Sequence, residues 1–396
     1  MPNKTVSGLS VGQLVTLEIG PVAHGGHFIA RYNGNVIFVR HAITGEKAVV
    51  RITSVTSKLA HGDAIEILSG SQDRVLPQCE YAGPDGCGGC DFQHISIEAQ
   101  RILKKFIIQD QFKRIAKINI EPEFIHVNPE NGLHWRTRFD FAISSNGKAG
   151  LFSYKTKEVC EIDRCMIAVH KINESDLFTR SWKGFERVEV SVSSLDEIHI
   201  RRAGRSISGP SQLHQIVEEE QYIISPNSFW QSHLNAPQTL VGLVMKYMDL
   251  KPGDRVCDLY GGVGLFTAPI LKKVEEIGEV HLVESDRRCI QDAKKIFRKN
   301  RNVIIHSGKV EEKLSNINDI DIVLLDPPRN GAGKGVISKI ISKQPRTIMY
   351  ISCDPASLAR DTKLLIDHSY SLDKIIGIDL FPMTHHIECV SSFRRK

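Results

Sequence analysis

The chain has 396 residues, 41% hydrophobic and 24% charged, with a formal net charge of +5. That length predicts two or three domains of about 100 to 200 residues each, and the absence of any apolar run near the roughly 18 residues of a membrane span argues against a membrane protein. The first residues, MPNKTVSGLSVGQ, carry no basic region followed by an apolar one, so a cytoplasmic location is expected.

The mild positive balance is compatible with nucleic acid but is shared by many ordinary enzymes. Basic residues bunch in Arg101 to Lys117, in HWRTRF and in IRRAGR, where solvated faces and RNA contacts are equally natural readings. Nine cysteines, an odd count without an export signal, argue for metal or catalytic use rather than a disulfide framework.

Residues 9–68 alternate apolar and polar positions in short runs (QLVTLEIG, GNVIFVR, KAVVRITSVTS, DAIEILSG) separated by Gly-containing turns, which predicts a small antiparallel OB-like barrel. Such barrels hold oligonucleotides, and they also serve as plain packing modules. A loop with Cys79, Cys87 and Cys90 follows, in the spacing C-x7-C-x2-C. Next, SIEAQRILKKFIIQDQFKRIAK places Ile102, Leu103, Phe106, Ile107 and Ile115 mostly at helical steps, so an amphipathic helix capped by Ser96 is predicted. Residues 132–225 form a second β-rich region with a hairpin signal at Asn146-Gly147.

From about residue 226 the pattern changes to repeated strand, loop and helix, which predicts a doubly wound, mainly parallel α/β sheet. Ligands of such sheets lie beyond the carboxyl ends of the strands, so residues just after each apolar run are the candidates. Four ends stand out. The first is Asp258-Leu259-Tyr260-Gly261-Gly262-Val263-Gly264, and the second is Glu284, twenty residues beyond Gly264, where an acid accepts from ribose hydroxyls. Thr267 replaces the third glycine of a dinucleotide fingerprint, which favours S-adenosylmethionine over NAD.

The third end is Asp326-Pro327-Pro328-Arg329, whose prolines fix an extended loop and aim Asp326 at a methyl donor or a target base. The fourth is Cys353. A buried cysteine is ordinarily a small hydrophobe, but a thiolate can also add to C6 of a pyrimidine and make C5 nucleophilic. A base must then remove the C5 proton, and Glu388 in FPMTHHIECVSSF is the candidate. Two alternatives stay open on the residues alone. One is an amino-group methyltransferase using Asp326-Pro327-Pro328; the other is an RNA-binding protein on a methyltransferase fold without turnover.

CDLYGGVGLFT, LLDPPRNGAG, ISCDPASLARD and MTHHIECV, in that order, resemble the RNA 5-methyluridine methyltransferases, and the resemblance spans essentially the whole chain. It implies a TRAM-like OB barrel over residues 1–70, a β-rich iron-sulfur and RNA-binding central domain over 71–225, and a Rossmann-like S-adenosylmethionine-dependent methyltransferase domain over 226–396. By the same likeness Cys353 is the nucleophile and Glu388 the base, with Gln231, Tyr260, Glu284 and Asp326 at the methyl donor. Four thiolates can hold zinc or a [4Fe-4S] cluster; the resemblance implies the cluster, on Cys79, Cys87, Cys90 and Cys165, with Cys160 the other candidate for the fourth place. The implied partner is ribosomal or transfer RNA with its target uridine flipped out of the stack, and nothing in the sequence requires an obligate protein partner.

Overall fold

A computed structural model describes residues 8–396; the first seven residues of the expected N-terminal domain lie outside it. Five strands, β1 (Leu14–Val22), β2 (Phe28–Tyr32), β3 (Asn35–Arg40), β4 (Lys47–Val55) and β5 (Ala60–Ser69), close into a barrel in the order β1-β2-β3-β5-β4. All pairings are antiparallel except β3 with β5. Alternation is the cause: Val15, Leu17, Ile19 and Val22 of β1 point inward while their neighbours meet solvent. The OB-like barrel expected from the sequence is present.

The helix α1 (Ile97–Gln111) begins where Ser96 Oγ accepts the Ala99 amide at 3.4 Å. Its buried face departs from the apolar pattern. Ile102 and Phe106 are exposed, whereas Gln100 and Lys104 are fully buried. An ion pair explains this inversion: Lys104 Nζ donates to Asp379 Oδ1 at 2.7 Å and to the Phe381 carbonyl at 2.9 Å, and Arg101 Nε reaches Asp379 Oδ2 at 3.4 Å.

After β6 (Glu123–His126), the strands β7 (Arg138–Ile143), β8 (Ala149–Phe152), β9 (Val159–Glu161), β10 (Arg187–Val192), β11 (Ile198–Arg202) and β12 (Arg205–Ser208) form an antiparallel sheet ordered β12-β11-β10-β7-β8-β9. The Asn146-Gly147 turn joins β7 to β8, with Gly147 at φ +78°. A short helix, α2 (His170–Asn173), packs through Ile172 with Trp135 and Trp182 in the core that buries Phe141 of β7. The hairpin of β13 (Leu213–Val217) and β14 (Glu220–Ile224) buries Leu213, Tyr222 and Ile224 in the core of the C-terminal domain.

That domain runs α3 (Ala236–Tyr247), β15 (Arg255–Leu259), α4 (Thr267–Val274), β16 (Glu279–Glu284), α5 (Arg287–Ile296), β17 (Val303–Ser307), α6 (Val310–Lys313), β18 (Ile322–Leu325), α7 (Gly333–Lys343), β19 (Thr347–Ser352), α8 (Pro355–Ile366), β20 (Tyr370–Asp379) and β21 (Glu388–Arg395). The eight strands are ordered β17-β16-β15-β18-β19-β21-β20-β6. From β17 to β19 they are parallel, and β21 enters antiparallel between β19 and β20. Helices cover the faces, so β18 and β19 are buried along their whole length and read as continuous apolar runs. The edge strand β6 comes from the central region and pairs parallel with β20. Among the described residues no helix is long and apolar enough to cross a membrane.

Removing one partner of a buried ion pair leaves the other charge uncompensated at a cost of about 3 to 5 kcal/mol. Lys104→Met is expected near the lower end, because Arg101 still reaches Asp379. Chemical denaturation of this variant against the parent protein measures the loss.

Candidate active site

One cavity of about 530 Å³ opens at the carboxyl edge of the parallel strands, and Gln231, Tyr260, Glu284, Asp326, Cys353 and Glu388 all line it. The edge lies where strand order reverses, between β15 and β18. Tyr260 leaves β15 at φ +61°, a left-handed conformation that turns the chain sharply into the glycine loop. Gly262 donates its amide to Glu284 Oε2 at 3.0 Å, and the Asp286 amide reaches Glu284 Oε1 at 2.7 Å. No atom lies within 4 Å of the place a Gly262 Cβ would take, so the backbone is open to a ligand. Thr267, the departure from a dinucleotide fingerprint, is buried and donates to Asp258 Oδ2 at 2.6 Å.

Buried carboxylates fix two of the loops. Asp292 of α5 accepts from the Ser225 amide at 2.7 Å, from Ser225 Oγ at 3.0 Å and from Ser228 Oγ at 2.7 Å. That knot, with the Thr137 amide donating to the Ser232 carbonyl at 2.8 Å, sets the segment holding Phe229, Trp230 and Gln231. Gln231 Nε2 then donates to Asp326 Oδ2 at 3.3 Å. Asp361 of α8 accepts from the Ala332 amide at 2.9 Å, the Gly333 amide at 3.2 Å and the Tyr350 hydroxyl at 2.8 Å, which holds the loop after Asp326-Pro327-Pro328-Arg329.

Cys353 and Glu388 meet through strand register. Ser352 pairs with Cys389 across β19 and β21, so one further step places Cys353 opposite Glu388, on the other face from Cys389. Hence Cys353 reaches the cavity while Cys389 is fully buried in the core. Burial pushes the Cys353 thiol up to about 12, with Glu388 and Asp326 adding to the rise and Arg329 opposing it. Burial likewise raises Glu388 well above the carboxylate range, Asp326 adds to that, and Arg329 again opposes. Burial and then Asp258 raise Asp326, against the Gln231 hydrogen bond. Glu388 Oε1 is buried with no hydrogen-bond partner.

Sequence reasoning missed several lining residues. Phe229, exposed at the mouth, and Phe381 are among them. Phe229 sits two residues before Gln231 and was within reach of a search for aromatics flanking it.

The four thiols Cys79, Cys87, Cys90 and Cys165 line a second, small cavity with Leu151, Ile162, Met166 and Arg136; Cys160, on β9, does not line it. The Gly89 amide donates to Cys87 Sγ at 3.3 Å and Gln93 Nε2 to Cys90 Sγ at 3.6 Å. Among the described residues no set of three or more His, Cys, Asp or Glu is gathered closely enough to hold a metal ion.

The tRNA (Uracil-5-)-methyltransferase family model matches residues 212–396, and the TRAM domain model matches residues 9–65. An uncharacterized RNA methyltransferase of Streptomyces avermitilis is 37% identical, covering 96% of this chain and 98% of its own. The chain belongs to the RNA (uracil-5-)methyltransferase family. Another uncharacterized RNA methyltransferase, from Corynebacterium glutamicum, is 30% identical over 98% of both chains. The crystal structure of Pyrococcus abyssi tRNA (uracil-54, C5)-methyltransferase with S-adenosyl-L-homocysteine has the same fold, with a TM-score of 0.72 at 22% identity over 95% of this chain and 99% of that one. As a member of that family, it is an RNA methyltransferase.

The raised Cys353 pKa has a direct readout in the free protein. The thiolate fraction grows with pH, so iodoacetamide alkylation of Cys353, followed by peptide mass spectrometry, should keep rising past about 8.5, where an ordinary thiol is half ionised. Glu388→Gln removes a neighbouring negative charge and is expected to speed alkylation in the alkaline range.

Proposed function

We propose that the protein methylates C5 of a uridine in structured transfer or ribosomal RNA, through a covalent bond between Cys353 and C6. The observation that carries this reading is the pairing of Cys353 with a buried carboxyl, Glu388, on one wall of the same cavity. Gly262, Glu284 and Asp286 form the end of the cavity suited to an adenosine ribose. S-adenosylmethionine, bound there, supplies the methyl group. The Cys353 thiolate adds to C6, and the electron pair pushed onto C5 and O4 makes C5 nucleophilic. Once C5 carries the methyl group, its hydrogen leaves as a proton to Glu388, and the C6–S bond breaks to return the thiolate. One proton is released overall. Glu388 Oε1 has no hydrogen bond to surrender before it accepts that proton, and the burial that raises its pKa makes the ionised form a stronger base.

The uridine must leave its stack to reach Cys353. Phe229, exposed at the mouth, offers a ring for it to stack on. Arg329 is the cation beside both reacting groups, and it favours the ionised form of each.

The central region holds a [4Fe-4S] cluster on Cys79, Cys87, Cys90 and Cys165, in preference to zinc. In support, these four residues line one small cavity together with Leu151, Ile162 and Met166, two of the sulfurs already accept N–H hydrogen bonds, and the donor set is all thiol. Its part is structural, shaping the segment that leads from Cys90 into α1. Protein purified without oxygen should be coloured, with iron and acid-labile sulfide in equal amounts. Cys165→Ser should lose both and Cys160→Ser should keep them; the reverse pattern would assign the fourth ligand to Cys160.

A 5-fluorouridine RNA tests the chemistry, since fluorine at C5 cannot leave as a proton. With methyl donor present, a denaturation-resistant adduct should form and should be lost in Cys353→Ala; an active Cys353→Ala enzyme would instead favour amino-group methylation. On ordinary RNA, Glu388→Gln should slow turnover by about 10²- to 10⁴-fold and accumulate a methylated adduct on Cys353, visible as an RNA-dependent gel shift.

A further inference from the structure

The barrel loop between β1 and β2 reaches the catalytic end of the C-terminal sheet. His24 Nε2 lies 2.8 Å from Asp354 Oδ2, a contact between residues 330 apart in sequence. Asp354 follows Cys353 directly. Its other carboxylate oxygen accepts the Ser357 amide at 2.7 Å, capping α8, and its amide donates to Ser352 Oγ at 3.2 Å. The turn presenting Cys353 is thus held through its own strand, through α8 and through the barrel.

The same loop touches the segment that carries Glu388. Gly26 has φ +77°, and a Cβ there would lie 2.4 Å from His385 Cβ, closer than any side chain allows. His385, three residues before Glu388, is gripped from the cysteine loop as well, with its Nδ1 2.6 Å from Asp91 Oδ2. Ordinary domain packing is a poor account of the His24 contact. The side chain stays 40% exposed, yet its Nε2 is aimed at the one Asp354 oxygen that α8 does not use. Its hydrogen bond to Asp354 raises the His24 pKa, and His24 in turn helps hold Asp354 below the carboxylate range, against its burial.

We infer that the β1–β2 loop is a positioning element of the active site: His24 and Gly26 hold the Cys353 and Glu388 segments in their working register, so barrel docking sets the chemical step and not RNA affinity alone. This rests on the covalent reading proposed above. His24 touches no reacting atom; it acts through Asp354. A displacement of about an ångström at a reacting group can cost on the order of 10²-fold in rate.

The test is single-turnover adduct formation on 5-fluorouridine RNA with methyl donor, at saturating RNA, alongside a separate measurement of RNA affinity. His24→Ala should form adduct about 10-fold or more slowly with unchanged RNA affinity. His24→Gln, which keeps an N–H donor toward Asp354, should recover most of the rate. Weakened RNA binding with a normal rate at saturation would make the loop a tether and overturn the inference, as would a normal result in both measurements. A rate loss in His24→Ala that accompanies a lowered melting temperature and is not restored in His24→Gln would also overturn it. No adduct from the unaltered protein would overturn the covalent reading and this inference with it; a normal parent adduct beside a normal His24→Ala rate overturns this inference alone.

Discussion

The antiparallel insertion of β21 between β19 and β20 is the constraint on which the site depends. In a purely parallel sheet every strand presents only its carboxyl end to the ligand edge. Because β21 runs the other way, its first residue, Glu388, arrives at that edge, beside the last residues of β19. Register does the rest. A one-residue slip would turn Glu388 into the core and bring Cys389 to the cavity, and the full burial of Ser391, Ser392 and Phe393 along β21 resists such a slip.

Around that ladder, acids far apart in sequence hold the loops. Asp292 ties the segment before Gln231, Asp361 ties the loop after Asp326, and Asp379 fastens α1 to the end of β20. Each is buried and multiply hydrogen-bonded, the condition under which a buried carboxylate is tolerated. The segment from Phe381 to His385 is held from the opposite side, since the Asp91 and Phe92 amides both donate to the Met383 carbonyl at 3.0 Å and Gln100 Oε1 accepts the Met383 amide at 2.9 Å. The region after the cysteine loop therefore braces the chain segment that leads into Glu388. Disturbance at Cys90 has a short path to Glu388, the proposed base.

The barrel and the parallel sheet were legible because each follows a strict hydrophobic period, and the strand-end motifs were legible because an α/β sheet fixes where its ligand must lie. What escaped was set by contacts distant in sequence. Ile102 and Phe106 belong to the apolar stripe of α1 by spacing, yet Lys104 takes the interior because Asp379, 275 residues away, is there to receive it. β6 has four residues and a weak pattern, and it becomes a strand only because β20 offers a free edge. His24 in a glycine-containing loop carries no local sign that Asp354 faces it. Local rules cannot see such pairings, which exist only once the chain has folded.

The charge balance of the cavity closes the argument about its chemistry. Asp258, Glu284, Asp326 and Glu388 surround it or lie just beneath it, and Arg329 is the cation that opposes the rise at both Cys353 and Glu388. Without a ligand, burial and then the neighbouring acids raise Asp258, Asp326, Glu388 and Cys353 toward their neutral, protonated forms. An anionic ligand would meet this wall at a cost, whereas a sulfonium ion brings the positive charge it lacks. The same positive charge would favour the thiolate of Cys353 and the carboxylate of Glu388, the two forms that the proposed addition and proton removal require. On the proposed mechanism, the burial and neighbouring acids that raise the Cys353 pKa are thus the properties that make the thiol responsive to a cationic methyl donor.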